Sequence, residues 1–486
     1  MKILVRLGSD VVIKSDRVRA RFTSRLIRNI KKGFKRSGVE SEICNKWSRF
    51  FVDVAEKDLQ AAKEILLCTF GVSSISAIEH ICEPNVEAIQ KHGLESYKEK
   101  VVGKKFRVSA RRSGVGGFSS QDVNLALGRE LLPYSEGVNL RYPDINIFVE
   151  IHPEGAMFFS KIIQGSHGLP IGKGGKTLCL ISGGFDSVVA AYLMMRRGID
   201  QDFLFCNMAG KAYERSVINV ARYFFEKYGH GSSGRMYIAD FSEITEAIRS
   251  SVRSSYAQVI LKRMFYRLGE KLAHQLRCEA LITGEAVAQV SSQTLTNLCT
   301  IESCIEMPVL RPLVGFDKED IIKYARKMGT FDMCAAIQEY CQLVPDRPVT
   351  SAPKAKAQIE EDKLDLEIID RAMAGIRLVD LATITDADLN TSYLYVDQIA
   401  EDSVVIDIRT EEEFEEWNYP GSKNIEWSQL MRDFNKLDKT KAYTLYCPLG
   451  LQSVVLAEKM QAAGFEAYSL RGGTRILQKS TMAVSP

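Results

Sequence analysis

The sequence predicts a multidomain chain with α+β units in its N-terminal half, a doubly wound parallel-sheet α/β domain after them, and a smaller α/β domain at the C-terminal end. Three observations lead to this fold class. The chain has 486 residues, more than one hydrophobic core usually supports. Two short stretches of mixed strand and helix patterns precede residue 168. From residue 176 onward, apolar strands alternate with helices, which indicates a parallel sheet.

Each domain has its own pattern. The first begins with the strand KILVRL and continues into a helix with apolar residues at helical spacing from Asp16 to Arg36. The second contains the basic strand FRVSARR and two strands around a turn at 153–155. A glycine-lysine linker separates it from the alternating α/β region, and VVIDIR and YTLYC are strands of the last domain. The predicted bounds are 1–75, 76–168, 172–390 and 395–486.

The composition indicates a globular protein without a membrane-spanning segment. Hydrophobic residues make up 45% and charged residues 26% of the chain, which is ordinary for a globular protein. There is neither an apolar run long enough for a membrane span nor a signal peptide, so we expect a cytoplasmic protein with no membrane partner. The eleven cysteines form no CxxC pair, which favours a reducing compartment and gives no metal-ligand set.

Charge is distributed unevenly along the chain. Residues 1–50 contain fourteen Lys and Arg against four Asp and Glu, and residues 98–112 contain seven against one. From Asp397 to the end, fourteen acidic residues face ten basic ones. The N-terminal half is therefore expected to bind a polyanion, although charge by itself does not identify which one.

A glycine-rich turn follows the apolar strand KTLCLIS and precedes a helix. The glycines allow close backbone approach, and hydroxyls and amides at a helix start can bind phosphate oxygens. It is not a Walker A loop, because the spacing and the lysine of that motif are missing. The sequence SGGFDS resembles the PP-loop of the ATP pyrophosphatases, which split ATP between its α and β phosphates. Its residues are Ser182, Gly183, Gly184, Phe185, Asp186 and Ser187.

A cysteine loop follows the strand YTLY near the C-terminal end. Cys447 begins the sequence CPLGLQS, after which a helix is predicted. Amides that point into such a loop stabilise a thiolate or a persulfide anion. Together with Asp407-Ile408-Arg409 and Gly421-Ser422, the loop resembles that of a rhodanese domain. Many rhodanese loops contain an arginine, but no charged residue lies between Cys447 and Ser453, so backbone amides alone are expected to stabilise the persulfide.

Further segments extend the resemblance to essentially the whole chain. TGEAVAQVSSQTLTNL (283–298), RPLVGFDKEDII (311–322) and IQEYC (337–341) are similar to segments of the ThiI family, the tRNA 4-thiouridine synthetases. The resemblance implies a ferredoxin-like domain, a THUMP domain that grips the acceptor end of tRNA, a PP-loop ATP pyrophosphatase domain and a rhodanese-like domain, in that order.

The same resemblance implies the residues of an ATP site. Asp186 would lie at the phosphates and their Mg²⁺, and Lys318 matches a lysine that the family needs for adenylation. A cation near the scissile bond would offset the charge that builds on pyrophosphate. The remaining ATP-binding candidates are Leu180, Ile181, Ser182, Gly183, Gly184, Ser187, Lys262, Gly284 and Gln293. Lys262 lies in a predicted helix that could equally present it to solvent.

Sulfur transfer is implied by two cysteines. In the ThiI family the cysteine of the IQEYC segment, here Cys341, forms a disulfide with the rhodanese cysteine, here Cys447, after sulfur delivery. A cysteine desulfurase is the implied donor, tRNA the acceptor, and a small carrier protein for thiamine thiazole synthesis a second acceptor. Cys206 is a weaker candidate without an assigned role. The residues do not show which position in tRNA is modified. They also leave the oligomeric state open, with a homodimer as one candidate.

The hypothesis is therefore an enzyme that adenylates uridine O4 with ATP and replaces the AMP by sulfur from Cys447. Two alternatives remain at this stage. A PP-loop amide or amidine synthetase acting on a small acid would leave the basic N-terminal half and the cysteine loop unexplained. A non-catalytic relay would bind tRNA and hand sulfur to a partner.

Overall fold

A computed structural model describes residues 1–46, 49–208, 210–337, 343, 347–448, 450 and 452–482. The chain forms two compact units. The N-terminal unit comprises Met1–Gly174 with Arg196–Gly198, and the C-terminal unit comprises Gly175–Met195 with Ile199–Pro486.

The first sheet of the N-terminal unit follows a β-α-β-β-α-β order, the ferredoxin-like arrangement. The predicted helix over 16–36 is present with those bounds, and its buried residues Leu26, Ile30 and Phe34 pack in one core with Ile3 and Val5 of the first strand. The elements are β1 (Lys2–Leu7), α1 (Ser9–Val12), α2 (Asp16–Arg36), β2 (Ser41–Lys46), β3 (Arg49–Val54), α3 (Leu59–Cys68) and β4 (Val72–Ala77).

A second sheet follows in the same unit. Its strands lie in the order β5-β8-β7-β6, with β7 and β8 antiparallel around the predicted turn. The elements are β5 (His80–Cys82), α4 (Val86–Tyr97), β6 (Phe106–Arg112), α5 (Ser120–Leu131), β7 (Ile145–His152) and β8 (Gly155–Phe159). The chain then returns to the first sheet, where β9 (Ile163–Gln164) pairs with β4.

The C-terminal unit begins with the predicted alternation of strands and helices. Its elements are β10 (Lys176–Leu180), α6 (Phe185–Arg196), β11 (Asp200–Asn207), α7 (Lys211–Tyr228), β12 (Arg235–Asp240), α8 (Ser242–Ser251), α9 (Ala257–Gln275), β13 (Ala280–Ile282), α10 (Leu295–Glu302), β14 (Val309–Leu310), α11 (Lys318–Met328), α12 (Phe331–Ala336), α13 (Lys354–Glu361), α14 (Glu367–Ala374) and β15 (Arg377–Asp380).

These strands form one sheet in the order β14-β13-β10-β11-β12-β15. The first five are parallel, as predicted, but β15 is an antiparallel edge strand beside β12. Consecutive residues of β11 serve opposite faces: Leu204 belongs to the core that contains α9, whereas Phe203 contacts Phe224 of α7. Helices therefore cover both faces of the sheet, which is the doubly wound arrangement.

A segment near residues 349–363 departs from the sequence-based expectation. Its polar, alanine-rich sequence predicts a connection that leads into one more helix. The structure has two helices here, α13 and α14. Glu361, the last residue of α13, is buried and accepts hydrogen bonds from Arg263 and Arg267 of α9. A buried partner, which the local pattern cannot show, therefore stabilises the additional helix.

A second sheet of five parallel strands ends the chain, in the order β16-β20-β19-β17-β18. Its core contains Leu445, Cys447 and Leu456. The elements are β16 (Tyr395–Val396), β17 (Val404–Asp407), α15 (Glu411–Glu416), β18 (Lys423–Asn424), α16 (Trp427–Asp433), β19 (Ala442–Tyr446), α17 (Ser453–Ala462), β20 (Glu466–Leu470) and α18 (Gly473–Met482).

Candidate active site

A cavity of about 590 Å³ lies at the carboxyl ends of β10 and β13. In the order β14-β13-β10-β11-β12, connections run to opposite sides of β10, so the crevice between β10 and β13 is the switch point at which doubly wound sheets bind ligands. The volume suits a ligand of nucleotide size. Apolar side chains that include Leu180, Leu204 and Phe265 line part of it.

The turn after β10 is folded by its own hydroxyl groups. The Ser187 hydroxyl accepts a hydrogen bond from the Ser182 amide at 3.2 Å and donates to the Gly184 carbonyl at 3.2 Å. Gly183 has φ +82°, and a Cβ there would lie 3.0 Å from Val217. A side chain at this position would strain the turn, so glycine is needed to hold the loop at the N-terminus of α6.

Asp186 is held from two sides. Its Oδ1 is 2.9 Å from Nζ of Lys318, the first residue of α11, and its Oδ2 accepts a hydrogen bond from Nε2 of Gln289 at 2.7 Å. The Asp186 side chain is 13% exposed and that of Lys318 is 47% exposed. Gly284 packs on the backbone at Asp186, where an added Cβ would meet the carbonyl carbon at 2.5 Å. The turns after β10 and β13 are therefore in direct contact.

Lys262 points into the cavity and pairs with a buried carboxylate, Glu285, at 2.9 Å. Glu285 also accepts hydrogen bonds from Tyr266 at 2.6 Å and from Arg311 at 3.0 Å. Burial alone would raise the pKa of Glu285, but Lys262, Tyr266 and Arg311 outweigh it and lower that pKa to about 2. Glu285 is therefore ionised at neutral pH and fixes the position of the Lys262 ammonium group.

Most of the predicted ATP-binding residues lie together. The cavity is lined by Leu180, Ile181, Ser182, Asp186, Ser187, Lys262, Gly284 and Gln293. Gly183 and Gly184 belong to the same turn, and Lys318 reaches it through Asp186. Cys206 also lines the cavity, and burial raises its pKa, so its thiol is uncharged. Cys341 lies outside the described residues.

Cys447 follows β19 directly and lies in the smaller sheet domain. It is 1% exposed. Its Sγ accepts hydrogen bonds from the Gln452 amide at 3.4 Å and from the Ser453 hydroxyl at 3.5 Å, at the start of α17. Two donors at the N-terminus of a helix therefore hold the sulfur atom. Stabilisation by backbone amides alone was therefore too narrow an expectation, since the Ser453 side chain contributes a donor.

The other residues of the rhodanese pattern hold the strand ends around Cys447. The buried Arg409 guanidinium pairs with Asp407 through Nη2 and Oδ2 at 2.6 Å. Asp407 is the register partner of Tyr446, and the Ile408 amide donates to the Tyr446 carbonyl at 3.1 Å. The pair therefore braces the strand that ends at the cysteine and does not touch sulfur in the described contacts.

In the N-terminal unit, positive charge collects beside α2. Burial, and then the charges of Arg21, Arg25 and Arg28, lower the pKa of Lys173. These four cations lie close enough to repel one another, so they would gain from a bound polyanion.

Among the described residues, no group of three or more His, Cys, Asp or Glu side chains could hold a metal ion. No described helix has the length and apolarity to cross a membrane.

Sequence reasoning missed Gln289, Glu285 and Arg311. Gln289 and Glu285 lie in the same 283–298 segment as Gly284 and Gln293, and their polarity so close after a buried strand was an available signal. Arg311 begins the next family segment. What the sequence could not show is that Gln289 turns toward Asp186, 103 residues away.

Models of known families match most of the chain. The model described as "Thiamine biosynthesis protein (ThiI)" matches residues 172–366 and the ThiI ferredoxin-like domain matches residues 2–76. The THUMP domain matches residues 83–160 and the rhodanese-like domain residues 392–478.

Solved structures resemble the chain over the larger part of its length. A 4-thiouridine synthetase in complex with RNA and bound ATP superposes with a TM-score of 0.68 at 28% identity, covering 78% of this chain and 99% of that one. A protein from Pyrococcus horikoshii Ot3 superposes with a TM-score of 0.51 at 24% identity, covering 68% of this chain and 99% of that one, which concerns the fold alone.

Curated relatives match over nearly their full length. The tRNA sulfurtransferase of Desulfurococcus amylolyticus is 35% identical over 476 residues, which are 97% of each chain. That of Shewanella woodyi is 36% identical over 478 residues, 96% of this chain and 99% of the other. With four matched domains and this identity from end to end, the chain belongs to the ThiI family of tRNA sulfurtransferases.

Proposed function

We propose that this chain is an ATP-dependent tRNA 4-thiouridine synthetase that adenylates O4 of a uridine and replaces the AMP by sulfur from Cys447. One observation supports this most: a single compact unit contains a nucleotide-sized cavity at Asp186 and a cysteine loop at the start of α17. The named activities of the relatives and of the solved RNA complex agree with it. A tRNA substrate favours a reaction in the cytoplasm.

ATP would bind in the cavity with its base among Leu180, Leu204 and Phe265 and its phosphates at the SGGFDS turn. The uridine O4 attacks the α-phosphate and pyrophosphate leaves, so the protein has to position the two reactants and neutralise charge. Lys318 is the cation for the leaving group. It is half exposed and pairs with Asp186, so it can exchange this carboxylate for a phosphate.

Asp186 also fits a magnesium ion, since an ionised carboxylate is the hard oxygen ligand that Mg²⁺ prefers. Both of its oxygens are engaged by Lys318 and Gln289 in this structure, and transfer of Lys318 to a phosphate would free one of them. Mg²⁺ would supply further charge neutralisation on the phosphates.

Cys447 supplies the sulfur. The Cys447 thiolate attacks the outer sulfur of a persulfide on a cysteine desulfurase, the S–S bond of that persulfide breaks, and the desulfurase cysteine leaves as a thiolate. The Gln452 amide and the Ser453 hydroxyl stabilise the persulfide that forms on Cys447. The terminal sulfur attacks C4 of the adenylated uridine, and AMP leaves with the C4–O4 oxygen.

Cys341 would resolve the resulting nucleoside–sulfur–Cys447 adduct. Its thiolate attacks Sγ of Cys447, the S–S bond breaks, and 4-thiouridine leaves as a Cys341–Cys447 disulfide forms, which a thiol reductant must reopen. Support comes from Ile337 and Leu343, the described residues that flank this segment in the sequence. Ile337 lies against Gly183, with its Cδ1 3.1 Å from the position of an added Cβ, and Leu343 belongs to the core that contains Leu261.

An assay with the pure protein, ATP, Mg²⁺, unmodified tRNA, cysteine and a desulfurase tests the proposal. Thiouridine is detected by its near-ultraviolet absorbance, adenylation by AMP or pyrophosphate release. Cys447→Ala should abolish thiolation and leave pyrophosphate release intact, because no sulfur acceptor remains while the cavity is unchanged.

Asp186→Ala and Lys318→Met should give the opposite result, with pyrophosphate release lost and persulfide on Cys447 still formed. Mass spectrometry of the sulfur-loaded protein identifies the modified thiol. Loss of both activities in Cys447→Ala, or no added sulfur at Cys447 in the wild type, contradicts the proposed division between the two sites.

The matching family model is described as a thiamine biosynthesis protein, which supports the proposal of a second acceptor. We propose that Cys447 also passes sulfur to a small carrier protein for thiazole synthesis. This transfer needs Cys447, and it should survive Asp186→Ala if the carrier is adenylated elsewhere. Thiamine dependence of cells that express each variant is the measurement.

A further inference from the structure

The start of helix α17, which follows the cysteine loop, is covered on all sides. Five consecutive residues at its start are buried: Ser453, Val454, Val455, Leu456 and Ala457. Consecutive helical residues are about 100° apart, so five of them cover the full circumference. Leu456 and Ala457 belong to the core of the C-terminal sheet, but Val454 and Val455 do not. A second surface must bury these two valines.

Helix α7 of the ATP-cavity domain contacts α17 directly. Helix α7 starts after Gly210 and has no side-chain cap of its own. Glu458 of α17 takes this place, since its Oε2 accepts a hydrogen bond from the Ala212 amide at 2.7 Å. A carboxylate at a helix N-terminus satisfies a free amide and opposes the positive end of the helix dipole.

The same face of α7 also contacts the segment that precedes the C-terminal sheet. Arg215 donates to the Asn390 carbonyl at 2.7 Å, and Arg222 pairs with Asp386 at 2.5 Å. Ala212, Arg215 and Arg222 are three and seven residues apart, so they share one face of the helix. Helix α7 therefore binds both the connecting segment and α17.

The α7 N-terminus also belongs to the ATP site. Tyr213 lines the cavity, and its hydroxyl donates to the Ser182 carbonyl at 3.1 Å. On the other side, Glu458 is five residues after Ser453, which is about 7.5 Å along the helix. The SGGFDS turn and the Cys447 loop are thus linked through Tyr213, the α7 N-terminus and Glu458.

We propose that Glu458 is a positioning residue that docks the cysteine domain on α7 in the orientation used for sulfur delivery. The inference rests on the proposed function, because delivery from Cys447 is the step that docking assists. Glu458 contacts neither Cys447 nor a residue that lines the cavity in the described contacts, and Tyr213 has its own hydrogen bond to the Ser182 carbonyl. A docking role therefore predicts that pyrophosphate release and persulfide formation continue when Glu458 is replaced.

The test is a single-turnover assay on the full chain. The protein is first loaded with sulfur by a desulfurase, then mixed with ATP, Mg²⁺ and unmodified tRNA, and thiouridine is followed in time. Glu458→Ala should slow delivery about five- to tenfold, the factor that corresponds to loss of one helix cap. Persulfide occupancy and pyrophosphate release should equal those of the wild type. Hydrogen exchange at the Ala212 amide should accelerate.

Three variants complete the design. Glu458→Gln keeps an acceptor oxygen and should recover part of the delivery rate. Glu415→Ala removes an exposed carboxylate of the same domain and should leave all readouts unchanged. Arg215→Leu weakens the dock from the α7 side and should slow delivery even if Glu458→Ala fails to fold.

Two outcomes overturn the docking role: wild-type delivery in both Glu458→Ala and Arg215→Leu, or a parallel loss of pyrophosphate release, which would mean that the cap only stabilises α7. If the wild type itself forms no thiouridine, the proposed function fails instead.

Discussion

At the scale of single residues, the candidate ATP site depends on how charged side chains are held. Asp186 has a partner on each oxygen, and Glu285 has three donors around it. A buried charge needs such partners, because desolvation would otherwise neutralise it. The site therefore holds two carboxylates, each with its own partners, and two lysines at one end of the sheet.

Gln289 offers a direct test of this arrangement. Its amide donates to Asp186 at 2.7 Å, and a hydrogen bond to a charged group contributes roughly 1.5–3 kcal/mol. Gln289→Leu should lower pyrophosphate release by about tenfold or more, because Asp186 loses its fixed orientation, with no change in persulfide loading of Cys447. Gln289→Glu should be worse, since it places a second negative charge beside Asp186. Wild-type pyrophosphate release in both variants would show that Lys318 suffices.

At the scale of elements, the turns between strands and helices place the reactive groups. The Cys447 loop packs against the start of α18, where Gly473 has φ +53° and a Cβ would lie 1.8 Å from the Cys447 carbonyl oxygen. The Thr474 amide donates to the same oxygen at 3.1 Å. The turn at Gly473 and Thr474 therefore holds the Cys447 loop in place from the start of α18.

Gly473→Ala should displace the cysteine loop, because backbone cannot yield to an overlap of that size. We expect loss of persulfide formation at Cys447, measured by mass spectrometry, while pyrophosphate release persists. Gly464→Ala is the matched control: Gly464 has φ +84° with nothing within 4 Å of the added Cβ. Gly464→Ala has the same kind of backbone strain without the overlap, so it should keep normal persulfide loading. Normal loading in Gly473→Ala as well would contradict the packing argument.

At the scale of the whole molecule, long-range charge pairs hold the sheets of the N-terminal unit together. Glu150 of β7 pairs with Arg6 of β1 at 2.7 Å and with Arg49 of β3 at 3.0 Å. Burial would raise the pKa of Glu150, but His152 and the two arginines lower it to about 2. Two sheets that belong to different sequence segments thus share one buried carboxylate.

Lowering the pH should destabilise the folded N-terminal unit, and the direction of this effect follows from the pKa of Glu150. Because the folded pKa is below the ordinary value of 4.5, the ionised Glu150 stabilises the folded state above pH 4.5, and this stabilisation is lost as pH falls toward 2. The shift corresponds to roughly 3 kcal/mol. Hydrogen-exchange protection in β1 and β7 of the full chain should fall over this range, and less steeply in Glu150→Gln. Equal pH slopes in the two proteins would contradict the assignment.

Much of this protein was predictable from local sequence. Helix α2 has the predicted bounds because its apolar spacing matches the helical repeat. The SGGFDS turn and the Cys447 loop follow buried strands as expected, since glycine content and a strand-to-helix change are local properties. The direction of β15 was not predictable, because four residues at a sheet edge have the same pattern in either direction.

The sequence by itself determined which residue types are available and in what order: a glycine-rich strand-to-helix turn, a cysteine loop after a strand, a basic N-terminal half and four domains. Only the tertiary structure decided which groups meet. Gln289 finds Asp186 across 103 residues, and Glu458 finds Ala212 across 246. Such contacts depend on how finished helices and strands pack, so no local pattern of residue types specifies them.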